Sequence, residues 1–154
     1  MPRSHRAVFM KHALELAAKC HETGDVPVGC VVVKDGVVVG QGYNTREKEQ
    51  RVTGHAEIMA LNDACSNLGT WKLDGCELYV TLEPCVMCSG AIVNARIDTV
   101  IFGARDSKAG GVRSLFAICE DPRLNHRVEI IEGILKAECS LIISDFFTSL
   151  RLNK

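Results

Sequence analysis

Leu78-Tyr79-Val80-Thr81-Leu82-Glu83-Pro84-Cys85-Val86-Met87-Cys88 joins a strand to a helix. Glu77 to Leu82 is short, largely apolar and rich in strand-favouring side chains, which predicts a buried strand. Pro84 suits the first position of a helix, and the pattern carries that helix to about Ala95. Cys85 and Cys88 are three residues apart at its start, so their side chains share one face. Helical side chains lean toward the N-terminus, so both sulfurs project past that end. The positive end of the helix dipole favours the thiolate, the form that binds metal.

Outward from this stretch, strands and helices alternate. Downstream, Ile97 to Phe102 reads as a strand. Residues 103–113, with Gly103, Gly110 and Gly111, read as a mobile loop. A short helix near 114–119, a short strand near 127–131 and a long helix from about 134 follow. Upstream, a helix runs from about His55 to Leu68 with Gly69 as its stop. Residues 44–54 are polar and read as a loop. Val28 to Lys34 and Val37 to Gly42 are strands joined by Asp35-Gly36, a strong hairpin signal. Residues 5–22 read as an amphipathic helix that stops at Gly24. The pattern predicts an α/β fold, a sheet with helices on both faces.

The chain has 154 residues, 47% hydrophobic and 24% charged, the profile of a globular protein and not of a disordered, collagenous or coiled-coil chain. One domain over residues 1–154 is expected. Lys plus Arg is 18 and Asp plus Glu is 19, giving a net charge of −1, so nucleic-acid binding would need a local basic patch. Residues 44–54, 101–127 and 145–154 each carry a small excess of positive charge. They either gather on one face or form an ordinary solvated surface. No stretch has the ~20 apolar residues of a membrane span. Arg3, Arg6 and Lys11 are followed by no apolar run, so no signal peptide is expected. The eight cysteines are read as reduced thiols of a cytoplasmic protein.

Cysteines at close spacing in such a protein point to metal or catalysis. His55-Ala56-Glu57 opens the other predicted helix. Two helix starts aimed at one point deliver His55, Cys85 and Cys88 to one zinc ion, with the fourth tetrahedral position left for water. Glu57 would then receive the proton of that water, provided that both His55 and Glu57 lie in the first turn. The alternatives are a redox-active Cys-x-x-Cys, a structural four-ligand zinc completed by Cys76 or Cys65, and an ordinary histidine beside a solvated glutamate. His-x-Glu followed by Pro-Cys-x-x-Cys is the known signature of zinc nucleobase deaminases, which favours the catalytic reading.

The chain resembles the bacterial tRNA-specific adenosine deaminases of the cytidine deaminase-like superfamily from about Asp25 to Leu150. The stretches that carry the likeness are Val26-Pro27-Val28-Gly29, His55-Ala56-Glu57-Ile58-Met59-Ala60, Leu78 to Cys88, Phe102-Gly103-Ala104-Arg105-Asp106, Asn125-His126-Arg127 and Ser144-Asp145-Phe146-Phe147. The metal motif alone marks the superfamily, and the later stretches narrow the match. The resemblance implies a three-layer α/β/α fold around a five-stranded mixed sheet, a homodimer and one zinc ion per subunit. It implies hydrolytic deamination of adenosine to inosine at the wobble position of a tRNA anticodon, chiefly of an arginine tRNA. His55, Cys85 and Cys88 match the zinc ligands and Glu57 the proton shuttle. Asn44 matches a contact to the target nucleoside, and Val28 and Leu82 match pocket walls. Asp106, Lys108, Asn125 and Phe147 match anticodon-loop contacts.

In the implied reaction, zinc-activated hydroxide attacks C6 of adenine while Glu57 protonates N1. Glu57 then passes a proton to the exocyclic amine and ammonia leaves. The target base must be unpaired or flipped out, which an anticodon loop allows cheaply. Asn44 offers a donor and an acceptor suited to a purine edge, or serves only as a turn residue after a strand. Two rival functions are a deaminase of free bases or nucleosides such as guanine or cytosine, and a non-catalytic zinc module.

Overall fold

The structure is a computed structural model and describes residues 3–153. Helix α1 (Arg3–Ala18) continues as a 3-10 turn over Lys19–Glu22. Strands β1 (Gly29–Lys34) and β2 (Val37–Tyr43) form a hairpin, and a one-turn helix α2 (Arg46–Glu49) follows. Helix α3 (Ala56–Leu68), strand β3 (Cys76–Leu82), helix α4 (Val86–Asn94) and strand β4 (Thr99–Ala104) come next. A 3-10 turn at Ile118–Glu120, strand β5 (Glu129–Glu132) and helix α5 (Lys136–Leu152) complete the chain.

The sheet has five strands in the order β2-β1-β3-β4-β5. β1 is antiparallel to both β2 and β3, while β3, β4 and β5 are mutually parallel. Cys30, Val32, Leu78, Val80, Val100 and Phe102 face α3 and α4. The alternate residues Val31, Val33, Tyr79 and Ile101 face α1 and α5. This period of two separates the core into two layers on either side of the sheet, as a three-layer α/β/α fold requires.

Helix α3 lies close on β2 because Ala56, Ala60 and Ala64 meet glycines. A Cβ on Gly40 would lie 2.5 Å from the Ala60 carbonyl oxygen, and one on Gly42 would lie 2.7 Å from that of Ala56. At the hairpin, Asp35 and Gly36 have φ of 50° and 76°, the left-handed pair that a type I′ turn needs.

The topology places four chain segments at one edge of the sheet. β2 and β3 both run antiparallel to β1, so they point the same way, and β4 is parallel to β3. The ends of β2, β3 and β4 and the entry to β1 therefore meet there. Helices α3 and α4 begin at that edge on the same face.

Several expected elements differ. Pro84 is not the first helical residue. Cys85 is the N-cap, in extended backbone with φ −74° and ψ −179°, and Pro84 precedes it. The Pro84 carbonyl is taken by the Gly111 N–H at 2.8 Å, which holds the proline outside the helix. Residues 103–113 do not form one mobile loop. Gly103 and Ala104 complete β4, and the segment after them is tied down by hydrogen bonds. The 44–54 loop contains α2, and the expected helix near 114–119 is a 3-10 turn.

Candidate metal and catalytic site

His55 is the N-cap of α3 and Cys85 the N-cap of α4. N-cap side chains ordinarily accept a bond from their own helix. Neither of these does so, which leaves both free to turn toward each other. His55 Nδ1 lies 3.5 Å from Cys85 Sγ and 3.5 Å from Cys88 Sγ. The three donor atoms lie within 4.8 Å of one another, the grouping expected from a metal-binding cluster. Cys65 and Cys76 are not among them, so no fourth protein donor joins the group among the described residues.

Hydrogen bonding couples the three side chains. A hydrogen bond from Cys88, with a further one from His55, lowers the Cys85 thiol to about 4. The same Cys85–Cys88 bond and burial push Cys88 upward. Hydrogen bonding to Cys85 raises the His55 imidazole. One imidazole and two sulfurs form a soft donor set for a metal ion.

Glu57 is the second residue of α3, so it shares the first turn with His55, as the expected roles require. It is buried at 4% exposure and lines a cavity together with His55 and Cys85. Burial raises its carboxyl to about 7. A carboxyl poised there can both take and return a proton near neutral pH.

The cavity has a volume of 190 Å³ and draws walls from all four segments at the sheet edge. Val26 and Val28 come from before β1, Asn44 from after β2, and Leu82 from the end of β3. Asp106 and Ala109 come from the segment after β4. Asn44 forms an Asx turn in which its Oδ1 accepts from the Arg46 N–H at 3.1 Å. Its Nδ2 donates to the Val26 carbonyl at 3.1 Å. The turn role is therefore present, and one amide hydrogen and one lone pair remain for a ligand.

A second recess of 520 Å³ shares Val26, Leu82, Asp106 and Ala109 with the first. Arg105, Lys108, Phe147 and Arg151 line its far side. Asn125 is exposed in the segment before β5 and lines neither recess.

The charge excess seen in the sequence is partly consumed by ion pairs. Arg105 bonds Glu132 through two contacts of 2.8 Å, Arg123 bonds Asp121, and Arg113 bonds Glu120. Lys108 and Arg151 make no ion pair among the described residues, nor does Arg46 at the mouth of the first cavity.

Two carboxylates were not singled out from the sequence. Asp25 is fully buried and Glu83 is 2% exposed. Both accept from backbone N–H groups in the segments that carry cavity-wall residues. An acid within apolar surroundings, as in Leu82-Glu83-Pro84, was the available signal. Its partners lie in distant segments and are invisible to local pattern.

The chain matches the MafB19-like deaminase family over residues 3–151. It is 45% identical over 147 residues to a tRNA-specific adenosine deaminase of Bacillus subtilis (strain 168), covering 96% of this chain and 91% of that one. It is 49% identical over 145 residues to a tRNA-specific adenosine deaminase of Aquifex aeolicus (strain VF5), covering 94% of this chain and 95% of that one. A solved structure from work on A-to-I editing by tRNA:A34 deaminases at the wobble position of transfer RNA superposes with a TM-score of 0.84. That protein is 40% identical, and the match covers 88% of this chain and 98% of the other.

Proposed function

The chain belongs to the tRNA-specific adenosine deaminase family, and on that premise we propose that it converts adenosine to inosine at the wobble position of a tRNA anticodon, chiefly that of an arginine tRNA. The observation that carries the reading is the meeting of His55, Cys85 and Cys88 at the base of a cavity that His55, Cys85 and buried Glu57 line. We propose zinc as the metal, one ion per subunit, held by these three side chains. Tetrahedral zinc with Zn–S of about 2.3 Å and Zn–N of about 2.0–2.1 Å separates its nitrogen and sulfur ligands by about 3.5 Å. The observed separations of His55 Nδ1 from the two sulfurs, each 3.5 Å, support that choice.

The metal supplies Lewis acidity that makes water nucleophilic near neutral pH. The protein's own groups do the rest. Val28 and Leu82 confine the adenine ring, and Asn44 offers its remaining donor and acceptor to a polar edge of the nucleoside. Glu57 takes the proton of the attacking water and delivers it to N1 as C6 becomes tetrahedral. It then moves a proton to the exocyclic nitrogen, the C6–N bond breaks, and ammonia leaves. Water plus adenosine thus gives inosine plus ammonia.

The second recess suits unpaired nucleotides flanking the target. Phe147 is 41% exposed and offers a face for base stacking, while Lys108 and Arg151 offer positive charge to phosphates. Asp106 stands where the two recesses meet. Asn125 is proposed only as a contact with RNA that extends beyond both. A homodimer is also proposed. Val86, Leu115 and Phe116, at 48%, 52% and 56% exposure, supply apolar surface for it. No helix of the described residues is long and apolar enough to cross a membrane. All eight cysteines are free, in keeping with a proposed place in the cytoplasm.

Incubation of the zinc-loaded protein with an arginine anticodon stem-loop bearing adenosine at the wobble position tests the reading, with free adenosine, guanine and cytosine in parallel. Inosine in the stem-loop alone supports it. Turnover of a free base or nucleoside without stem-loop editing would replace it by small-molecule deamination.

A further inference from the structure

We propose that Asp25 and Glu83 are positioning residues, each holding one wall of the deamination cavity in register, an inference that rests on the function proposed above. The two walls come from segments outside the sheet, whose only helix is the single turn α2. One carries Asn44 and Arg46, the other Asp106 and Ala109. Each is gathered onto a single buried carboxylate from elsewhere in the chain.

Asp25 accepts from the Glu47 N–H through Oδ1 at 2.6 Å. Its Oδ2 accepts from the Lys48 N–H at 3.2 Å and from the Thr23 hydroxyl at 2.6 Å. It thereby anchors the turn that begins at Asn44. Glu83 Oε1 accepts from the Asp106 N–H at 3.0 Å and from the Ser114 hydroxyl at 2.5 Å. Its Oε2 accepts from the N–H groups of Val112, Arg113 and Ser114 at 3.1, 2.8 and 2.9 Å. Both ends of the segment that carries Ala109 are therefore pinned to the residue two before Cys85. The fit is tight, since a Cβ on Gly110 would collide with the Glu83 carboxylate.

Neither carboxylate has an ion-pair partner among the described residues. Hydrogen bonds alone therefore compensate each of them, three to Asp25 and five to Glu83. What a carboxylate does uniquely is accept several N–H bonds from different directions at once. An amide cannot, because half of its polar atoms are donors and would face donors here. The arrangement therefore fixes backbone geometry at the two places where substrate-facing side chains are mounted.

The test compares zinc-loaded wild type with Asp25→Asn and Glu83→Gln, and with the milder Thr23→Val and Ser114→Ala. Each milder change removes one hydroxyl donor and leaves the carboxylate in place. Steady-state kinetics are measured on the anticodon stem-loop well below each variant's Tm, with metal content determined on the same samples. The expected result is a KM about tenfold higher in Asp25→Asn and in Glu83→Gln, with kcat changed less than about threefold and zinc retained. Thr23→Val and Ser114→Ala shift KM in the same direction by less. A lower Tm with wild-type KM and kcat would overturn the proposal, since that is what a purely structural role gives. Loss of zinc from Glu83→Gln would overturn it too, by assigning that residue to the metal site. If the amide variants do not fold, wild-type KM in both hydroxyl variants overturns it. Wild type that forms no inosine from the stem-loop sinks the proposed function itself, a result distinct from all of these.

Discussion

Glu57 carries the largest expected effect of any single residue. Its carboxyl is the proposed acid-base group beside the His55, Cys85 and Cys88 cluster, buried and raised to about 7. Glu57→Gln keeps the shape of the side chain but cannot exchange a proton. We expect zinc content to stay at the wild-type level and kcat to fall by at least 10²–10⁴-fold, the usual worth of a positioned general acid-base. Inosine formation in a metal-quantified sample checks this. Cys88→Ser tests the metal itself. A serine hydroxyl is a poor zinc ligand, so the variant should lose bound zinc and activity together in a metal assay after dialysis. The imidazole, the two thiols and Glu57 were legible in the sequence because each lies within a short motif at a predicted helix start. Asp25 and Glu83 were not, because an acid's role depends on which N–H groups surround it.

At the scale of elements, the position of α3 controls the site because its first turn bears His55 and Glu57. Gly42 lets α3 settle on β2. A Cβ there would lie 2.6 Å from Met59 Cβ and 2.7 Å from both the Ala56 carbonyl oxygen and the Ala60 nitrogen. Two of these neighbours are backbone atoms and cannot swing aside. Gly42→Ala should cost about 1–3 kcal/mol, the usual range for overpacking. It should also weaken zinc retention by displacing His55 from the two sulfurs. Thermal melts together with competition against a chelator check both effects. The hairpin and the α3 and α4 segments were readable from turn chemistry and periodicity. The exact start of α4 was not, since a tertiary bond from Gly111 holds Pro84 outside the helix.

For the molecule as a whole, net charge gives little guidance on RNA binding. Three arginines of the apparent basic segment are spent on Glu132, Glu120 and Asp121. Lys108 and Arg151 remain beside the second recess. Affinity for the anticodon stem-loop should fall with added salt. Lys108→Ala should reduce the slope of log K against log salt by about 0.7, the single-strand value for one phosphate contact. The double change with Arg151→Ala should reduce it by roughly twice that. Titrations over a range of salt concentrations measure the slope, and unchanged slopes would remove these residues from the RNA interface.

By itself the sequence determined the donor types, the helix starts that present them and the alternation of strands and helices. These properties are encoded by neighbours a few residues apart. Only the tertiary structure decided that β1 lies between β2 and β3, so that two helix N-termini far apart in the chain open on one edge and one face of the sheet. It also decided which loops reach that edge and which buried carboxylates hold them there. Strand order and long-range hydrogen bonding arise from the packing of the whole sheet, and no local pattern records them.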